Sequence, residues 1–251
     1  MKYFSLARRV PETAGVEPRV LAGLYRAIAW LPLVRGVHRR FLRAVLALDA
    51  GGAGRLALDV GTGPGYVPVE LARRRPGLRV VGLDLAAHMA AQAAGRGARA
   101  ALDGRALWPQ ADGHRLPFAD ASFGLVVSSF ALHHWQNPLR VFDEIARVLA
   151  PGGRYVLADV CREPNLFQRL FAYASIPVVS LAFGSYLGYG GYYESMRAGY
   201  TRAEARDLLR ASALPPGRVG LDSTGFVPIL TIASGPAPAR GKEEENLNEA
   251  A

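Results

Sequence analysis

The sequence predicts an α/β fold: a mostly parallel, doubly wound sheet with helices on both faces. Two observations predict it. From Arg55 to Asp159 short apolar runs alternate with segments of helical period, the pattern of successive βαβ units. A glycine-rich loop, Gly61-Thr62-Gly63-Pro64-Gly65, follows the first apolar run and opens the next helix, where doubly wound sheets place a ligand turn.

In order, Leu56–Val60 reads as a strand and Tyr66–Arg75 as a helix, with Pro68 tolerated in its first turn. Arg79–Asp84 is the second strand and His88–Ala94 the next helix. Ala106–Ala111 is a third strand, which Pro109 confines to an edge. Phe123–Ser129 is strongly apolar, and Pro138–Leu149 is amphipathic. Pro151-Gly152-Gly153 turns into the strand Arg154–Asp159. After an aromatic stretch, Thr201–Ala211 is a helix with Thr201 as N-cap and Glu204 three residues on. Arg218–Asp222 and Val227–Ala233 close the domain as a strand pair.

Before this core, residues 1–18 read as irregular and residues 19–48 as two helices broken near Pro32, giving an N-terminal helical cover over 1–50. Ala50–Gly54 is a linker. The main domain spans 51–235, with a helical and aromatic lid insertion over about 164–200, and 236–251 is a disordered tail.

Composition narrows the chemistry. Half of the 251 residues are hydrophobic, enough for a sizeable core. Cys161 is the only cysteine, so an internal disulfide and a cysteine-based zinc site are excluded, and no metal is expected. No apolar stretch opens the chain as a secretory signal would, and a cytoplasmic location is expected. The net charge is +9, carried almost entirely by arginine, since Lys2 and Lys242 are the only lysines. The arginines are scattered, which favours a composition bias over a nucleic-acid surface. One asymmetry stands out: residues 1–50 hold nine bases against three acids, with Arg35, Arg39 and Arg43 striping the second helix.

The glycine loop alone fits nicotinamide, flavin and S-adenosylmethionine (SAM) sites. Its details separate them. The dinucleotide fingerprint is G-x-G-x-x-G, whereas here the spacing is G-x-G-x-G and Tyr66 stands where the third glycine belongs. Asp59 precedes the first glycine by two. Its carboxylate repels a pyrophosphate and attracts the ammonium and sulfonium of SAM. Asp84 ends the second strand, where an acid accepts from ribose hydroxyls, and Asp112-Gly113 follows the third strand, where an acid accepts from an adenine amino group.

Leu58–Gly65, Val81–Leu85 with Met89, Asp112-Gly113 with Leu116-Pro117-Phe118, Phe123–Trp135 and Arg147–Asp159 together resemble the class I SAM-dependent methyltransferases. Within them they are most similar to the small-molecule branch that includes the ubiquinone/menaquinone C-methyltransferases. The resemblance covers roughly residues 55–160. It implies a Rossmann-like sheet of seven strands with an antiparallel last strand, and SAM as cofactor. It implies Asp59 and Gly61 near the methionine moiety within the Gly61, Thr62, Gly63 and Gly65 loop. It further implies Asp84 on the ribose, Leu85 against adenine, Asp112 and Gly113 at the adenine amino group, and Ser129 on the pocket floor. Phe123-Gly124 departs from the family's usual Phe-Asp, a position outside the cofactor contacts.

The expected activity is methyl transfer to a small, partly apolar or aromatic acceptor. His133 and His134, at the carboxyl end of the fourth strand, are candidates for a general base, but in-line transfer from a sulfonium succeeds by alignment and no catalytic residue is assigned. A nucleic-acid methyltransferase is the alternative that the charge suggests. It is disfavoured because Ser128-Ser129-Phe130-Ala131 replaces the Asn/Asp-Pro-Pro-aromatic run of amino-methylating enzymes. A non-catalytic SAM-binding module and a NAD oxidoreductase rank lower. The stretch 164–200 reads as a lid or pocket wall ahead of plain core or membrane contact. The basic N-terminal helices read as a cofactor cover ahead of a lipid-facing element.

Overall fold

The computed structural model describes residues 6, 9, 32–48, 55–183 and 192–234. The first predicted N-terminal helix, the 50–54 linker, the stretch 184–191 and the tail lie outside the described residues. Helix α1 spans Pro32–Leu48, starting at the proline that fixes a helical φ at a first turn. Then follow β1 (Leu56–Val60), α2 (Tyr66–Arg74), β2 (Arg79–Leu83), α3 (Ala87–Arg99), β3 (Ala106–Leu107), β4 (Phe123–Ser129) and a short 3-10 turn at Leu132–His134. The remainder is α4 (Pro138–Val148), β5 (Leu149–Val160), α5 (Leu166–Phe183), α6 (Tyr192–Ala198), α7 (Arg202–Ala211), β6 (Gly217–Asp222) and β7 (Ile229–Ser234).

The seven strands form one sheet in the order β3-β2-β1-β4-β5-β7-β6. β1 pairs in parallel with both β2 and β4, so the chain direction of winding reverses at β1 and opens a crevice at the carboxyl ends of β1 and β4. β7 runs antiparallel to β5 and to β6, and is the antiparallel last strand that the resemblance implies.

Side-chain alternation along the strands builds two cores. On β4, Val126 joins Phe142, Ile145 and Tyr155 on the face covered by α4 and α7. Leu125 and Val127 join Phe41, Leu42, Val45 and Leu71 on the face covered by α1 and α2. The capping box at α7 forms as expected, with Thr201 accepting from the Glu204 N–H and Glu204 from the Thr201 N–H.

Three boundaries differ from the sequence reading by more than two residues. α3 runs five residues beyond Ala94, through Gly95 and Gly97. Gly97 is there for close packing: an added Cβ would meet the Trp108 ring at 2.8 Å. The third strand is only Ala106–Leu107, because Pro109 lacks the N–H that a longer ladder needs, with one further bridge between Asp84 and Gln110. β5 begins at Leu149 rather than Arg154; its register against β4 shifts between the pairs Phe123–Leu149 and Leu125–Arg154, which leaves the predicted Pro151–Gly153 turn as a bulge within the strand. Within the aromatic stretch, the described residues form the helices α5 and α6.

Candidate functional site

The loop after β1 is built from both neighbouring strands. The N–H groups of Gly61 and Thr62 both donate to the Leu83 carbonyl of β2, at 3.0 and 2.8 Å. Gly61, Gly63 and Gly65 take φ values of 74°, 51° and 79°, a region that side chains strain to enter. At Gly61 an added Cβ would lie 2.5 Å from Ala131, whereas at Gly63 it would meet nothing within 4 Å. Gly61 therefore lets the loop backbone approach the Ala131 methyl closely, and Gly63 leaves open space for a ligand.

Two acids flank this space. Asp59 is buried on β1, and its Oδ2 accepts from the Thr62 hydroxyl at 2.8 Å. Its Oδ1 is buried and has no hydrogen-bond partner among the described residues. Burial pushes the Asp59 carboxyl up to about 7, opposed by the Thr62 bond and assisted by the charge of Asp84. A buried acceptor left without a donor is costly, so a cationic donor arriving here is strongly favoured.

Asp84 follows β2. Its Oδ2 accepts from the Gly63 N–H at 2.8 Å and its Oδ1 from the Ala86 N–H at 2.9 Å. Burial raises its carboxyl, against the opposing pull of those two bonds and of His88. Each oxygen keeps a further lone pair, so the carboxylate can still accept from a diol. The next residue, Leu85, is 67% exposed, an apolar side chain of the size that a flat heterocycle covers.

Asp112 and Gly113 stand past the bridge from Asp84 to Gln110. Gly113 packs close to the end of β1, with an added Cβ 3.2 Å from Val60. Asp112 Oδ1 accepts from the His114 N–H and meets the His114 ring at 2.7 Å. Burial acts upward on its carboxyl, but the bonds and charge of His114 win and hold it below its ordinary value. The following segment is locked by Arg147, which donates to the Leu116 and Phe118 carbonyls and to Glu144 and Asp120. Ser129 ends β4 half-buried, while its neighbour Ser128 turns the other way and donates to the Val60 carbonyl at 2.7 Å. Asp59, Thr62, Asp84 and the three loop glycines thus meet in one crevice, with Leu85, Asp112, Gly113 and Ser129 at the carboxyl ends of the adjacent strands.

A methyltransferase-domain family model matches residues 58–157, the segment that carries all of these residues. The demethylmenaquinone methyltransferase of Thermus thermophilus is 32% identical over 183 residues, covering 71% of this chain and 82% of that protein. The chain belongs to the class I SAM-dependent methyltransferases. A ubiquinone/menaquinone biosynthesis C-methyltransferase of Geobacter sulfurreducens is 30% identical over 159 residues, and the chain spans 62% of its length. Among solved structures, a SAM-dependent methyltransferase of Aquifex aeolicus shares the fold with a TM-score of 0.56 at 19% identity, covering 76% of this chain and 87% of the other. SAM is the cofactor of the family, and the orphaned Asp59 oxygen beside the open Gly63 cradle fits it.

Two features of this methyltransferase escaped the sequence reading. Trp108 lies against Gly65, Gly82 and Gly97, three glycines from three elements, and forms a wall beside the loop. The signal was present as glycines inside α3 and β2, where none is needed for a turn. The second is the partner of His133. Both are buried, and Asp159 of β5 accepts from the His133 N–H at 2.7 Å and meets its Nδ1 at 2.6 Å. The His133 and His134 ring centroids lie 4.0 Å apart, with the rings tilted by 40°. His134 keeps an exposed face, but the protein packed around it and the neighbouring His133 both act to lower its imidazole from the ordinary value, opposed by Asp159.

Proposed function

We propose that this chain transfers a methyl group from SAM to a small, partly apolar or aromatic acceptor, in the cytoplasm. The observation that carries the reading is the pair Asp59 and Asp84 flanking the open Gly63 backbone at the reversal point of the sheet. When bound, SAM supplies an electrophilic methyl on a sulfonium. In this reading Asp59 binds the cationic methionine end, through Oδ1, which has no other donor among the described residues. Asp84 accepts from the ribose diol, Leu85 lies on the adenine face, and Asp112 with Gly113 meets the adenine edge. Ser129 lines the floor. What remains for the protein is to align the acceptor and exclude water.

The acceptor class rests on two supports. The relatives named above act, by their names, on menaquinone and ubiquinone precursors. The described aromatic side chains of α5 and α6 stand beyond the carboxyl end of β5, with Tyr173 and Tyr193 ring centroids 5.5 Å apart. The test is a metabolite screen with methyl-labelled SAM, read by mass spectrometry. Label on a small apolar acceptor supports the reading. Label only on nucleic acid, or binding of SAM with no transfer to any acceptor class, contradicts it.

A further inference from the structure

We propose that the surface formed by the start of α5, the 223–226 turn and the outer side of α1 docks onto an anionic lipid surface. The proposal rests on that surface and not on the identity of the methyl acceptor.

The apolar part is contiguous. Leu166, Phe167 and Leu170 are 73%, 57% and 58% exposed, and Phe226 is 41% exposed. Residues 166 and 170, and 167 and 170, are helical neighbours on one side of α5. The Phe226 ring joins them, with its centroid 5.3 Å from Phe167 and 4.9 Å from Phe171. Single exposed leucines are ordinary on soluble surfaces, but a joined group of four large side chains is not.

The patch is also held firmly outward. Asn165 caps α5 by accepting from the Gln168 N–H, and Gln168 accepts from the Asn165 N–H in return. The fully buried Gln168 side chain donates to the Ser223 and Gly225 carbonyls, at 3.2 and 2.8 Å. The first turn of α5 therefore cannot rotate to hide Phe167 without breaking buried bonds.

Charge identifies the partner. Arg40 of α1 reaches the same turn, donating to Asp222 at 3.2 Å and Thr224 at 3.0 Å. Arg39 and Arg43 lie beside it on the same exposed side of α1, opposite the buried Phe41, Leu42 and Val45, and all three arginines are exposed. Arg169 is exposed between Phe167 and Leu170, and its Nε donates to the Tyr173 hydroxyl at 3.2 Å. Among the described residues, Arg39, Arg43 and Arg169 form no ion pair; the single acid at this surface that does is Asp222, on Arg40. Exposed leucine and phenylalanine ringed by arginine is the arrangement of an interfacial element, whose apolar groups enter the acyl boundary while guanidiniums meet phosphates. α5 carries no charged residue after Arg169, yet no helix among the described residues is long and apolar enough to cross a membrane, so the contact is peripheral.

The experiment is co-sedimentation of the full chain with two vesicle preparations, phosphatidylcholine alone and phosphatidylcholine with roughly one-third phosphatidylglycerol. Binding to the anionic vesicles alone, weakening as salt is raised, is the expected result. The double variant Arg39→Gln/Arg43→Gln should lose about fivefold in partitioning per arginine. Phe167→Ser/Leu170→Ser should lose at least about tenfold, through apolar burial alone. Circular dichroism and melting temperature report that the variants are folded. No binding to the anionic vesicles, equal binding to the neutral ones, or folded variants that bind as well as the parent would each overturn the proposal. So would a dimer in solution that the serine variant dissociates while vesicle binding is unchanged, which would make a second copy the occupant.

Discussion

The backbone N–H of Gly63 donates to Oδ2 of Asp84 at 2.8 Å, so the middle of the glycine loop is tied to the end of the neighbouring strand. Asp84 thus has two tasks in the proposed site: it fixes the loop and accepts from the ribose. Replacing Asp84 by Ala should lower affinity for S-adenosylhomocysteine about 100-fold, the loss of charge-assisted bonds worth roughly 1.5–3 kcal/mol each. Asp84→Asn retains an acceptor and should fall between. Isothermal titration of both variants separates the two; affinity unchanged in Asp84→Ala would exclude the ribose role.

Asp59 gives the chain a pH dependence of defined sign. Burial raises its carboxyl to about 7, above its unfolded value, so the folded protein holds a proton that the unfolded chain releases. Its contribution to stability is full below about pH 4 and is lost as pH rises through about 7, on the order of 4 kcal/mol at most. A bound cation prefers the ionised acid, so cofactor affinity should rise over the same window. Melting curves between about pH 5 and pH 8, with and without S-adenosylhomocysteine, should show the ligand-induced shift growing with pH in the parent and flattened in Asp59→Asn.

Gly61 and Gly104 offer a controlled comparison. Both have positive φ, 74° and 72°, but an added Cβ meets Ala131 at 2.5 Å in the first case and nothing within 4 Å in the second. Gly104→Ala should cost about 1–2 kcal/mol for the left-handed backbone alone. Gly61→Ala should cost more, lowering the melting temperature by at least roughly 4 °C and weakening cofactor binding. Equal shifts for the two would mean that the Ala131 contact yields without cost.

Asp159 accepts from the His133 N–H and the Val160 N–H and meets the His133 ring, all in the buried core. Asp159→Ala leaves those groups without their acceptor and should destabilise the chain by roughly 3 kcal/mol, read as a lowered urea midpoint. Asp159→Asn, which keeps one acceptor oxygen, should cost less. If methyl transfer in folded Asp159→Asn equals that of the parent, orientation of the His133 ring has no part in turnover.

The cofactor loop was legible because its chemistry is local. Gly61, Gly63 and Gly65 are adjacent, their left-handed geometry needs glycine, and Asp59 is two residues away. The strands Phe123–Ser129 and Leu56–Val60 were legible because they are buried on both faces and read as mostly apolar runs, with Asp59 the one charge among them. What the sequence hid is long-range. Nothing near His133 announces Asp159 on another strand, and nothing near Gly97 announces the Trp108 ring. β3 lies at the edge of the sheet, as Pro109 requires, but the local rule acts further than expected and the ladder shrinks to Ala106–Leu107. In the aromatic segment, period alone did not say that Gln168 would anchor α5 and turn Leu166, Phe167 and Leu170 outward.

The measurement that tests the central claim most directly is calorimetric titration of the purified chain with S-adenosylhomocysteine, and separately with NADH, in the parent and in Asp84→Ala. The proposed site predicts stoichiometric binding of S-adenosylhomocysteine to the parent, loss of most of that affinity in the variant, and no heat from NADH. Binding of NADH without S-adenosylhomocysteine, or S-adenosylhomocysteine affinity indifferent to Asp84, would contradict it.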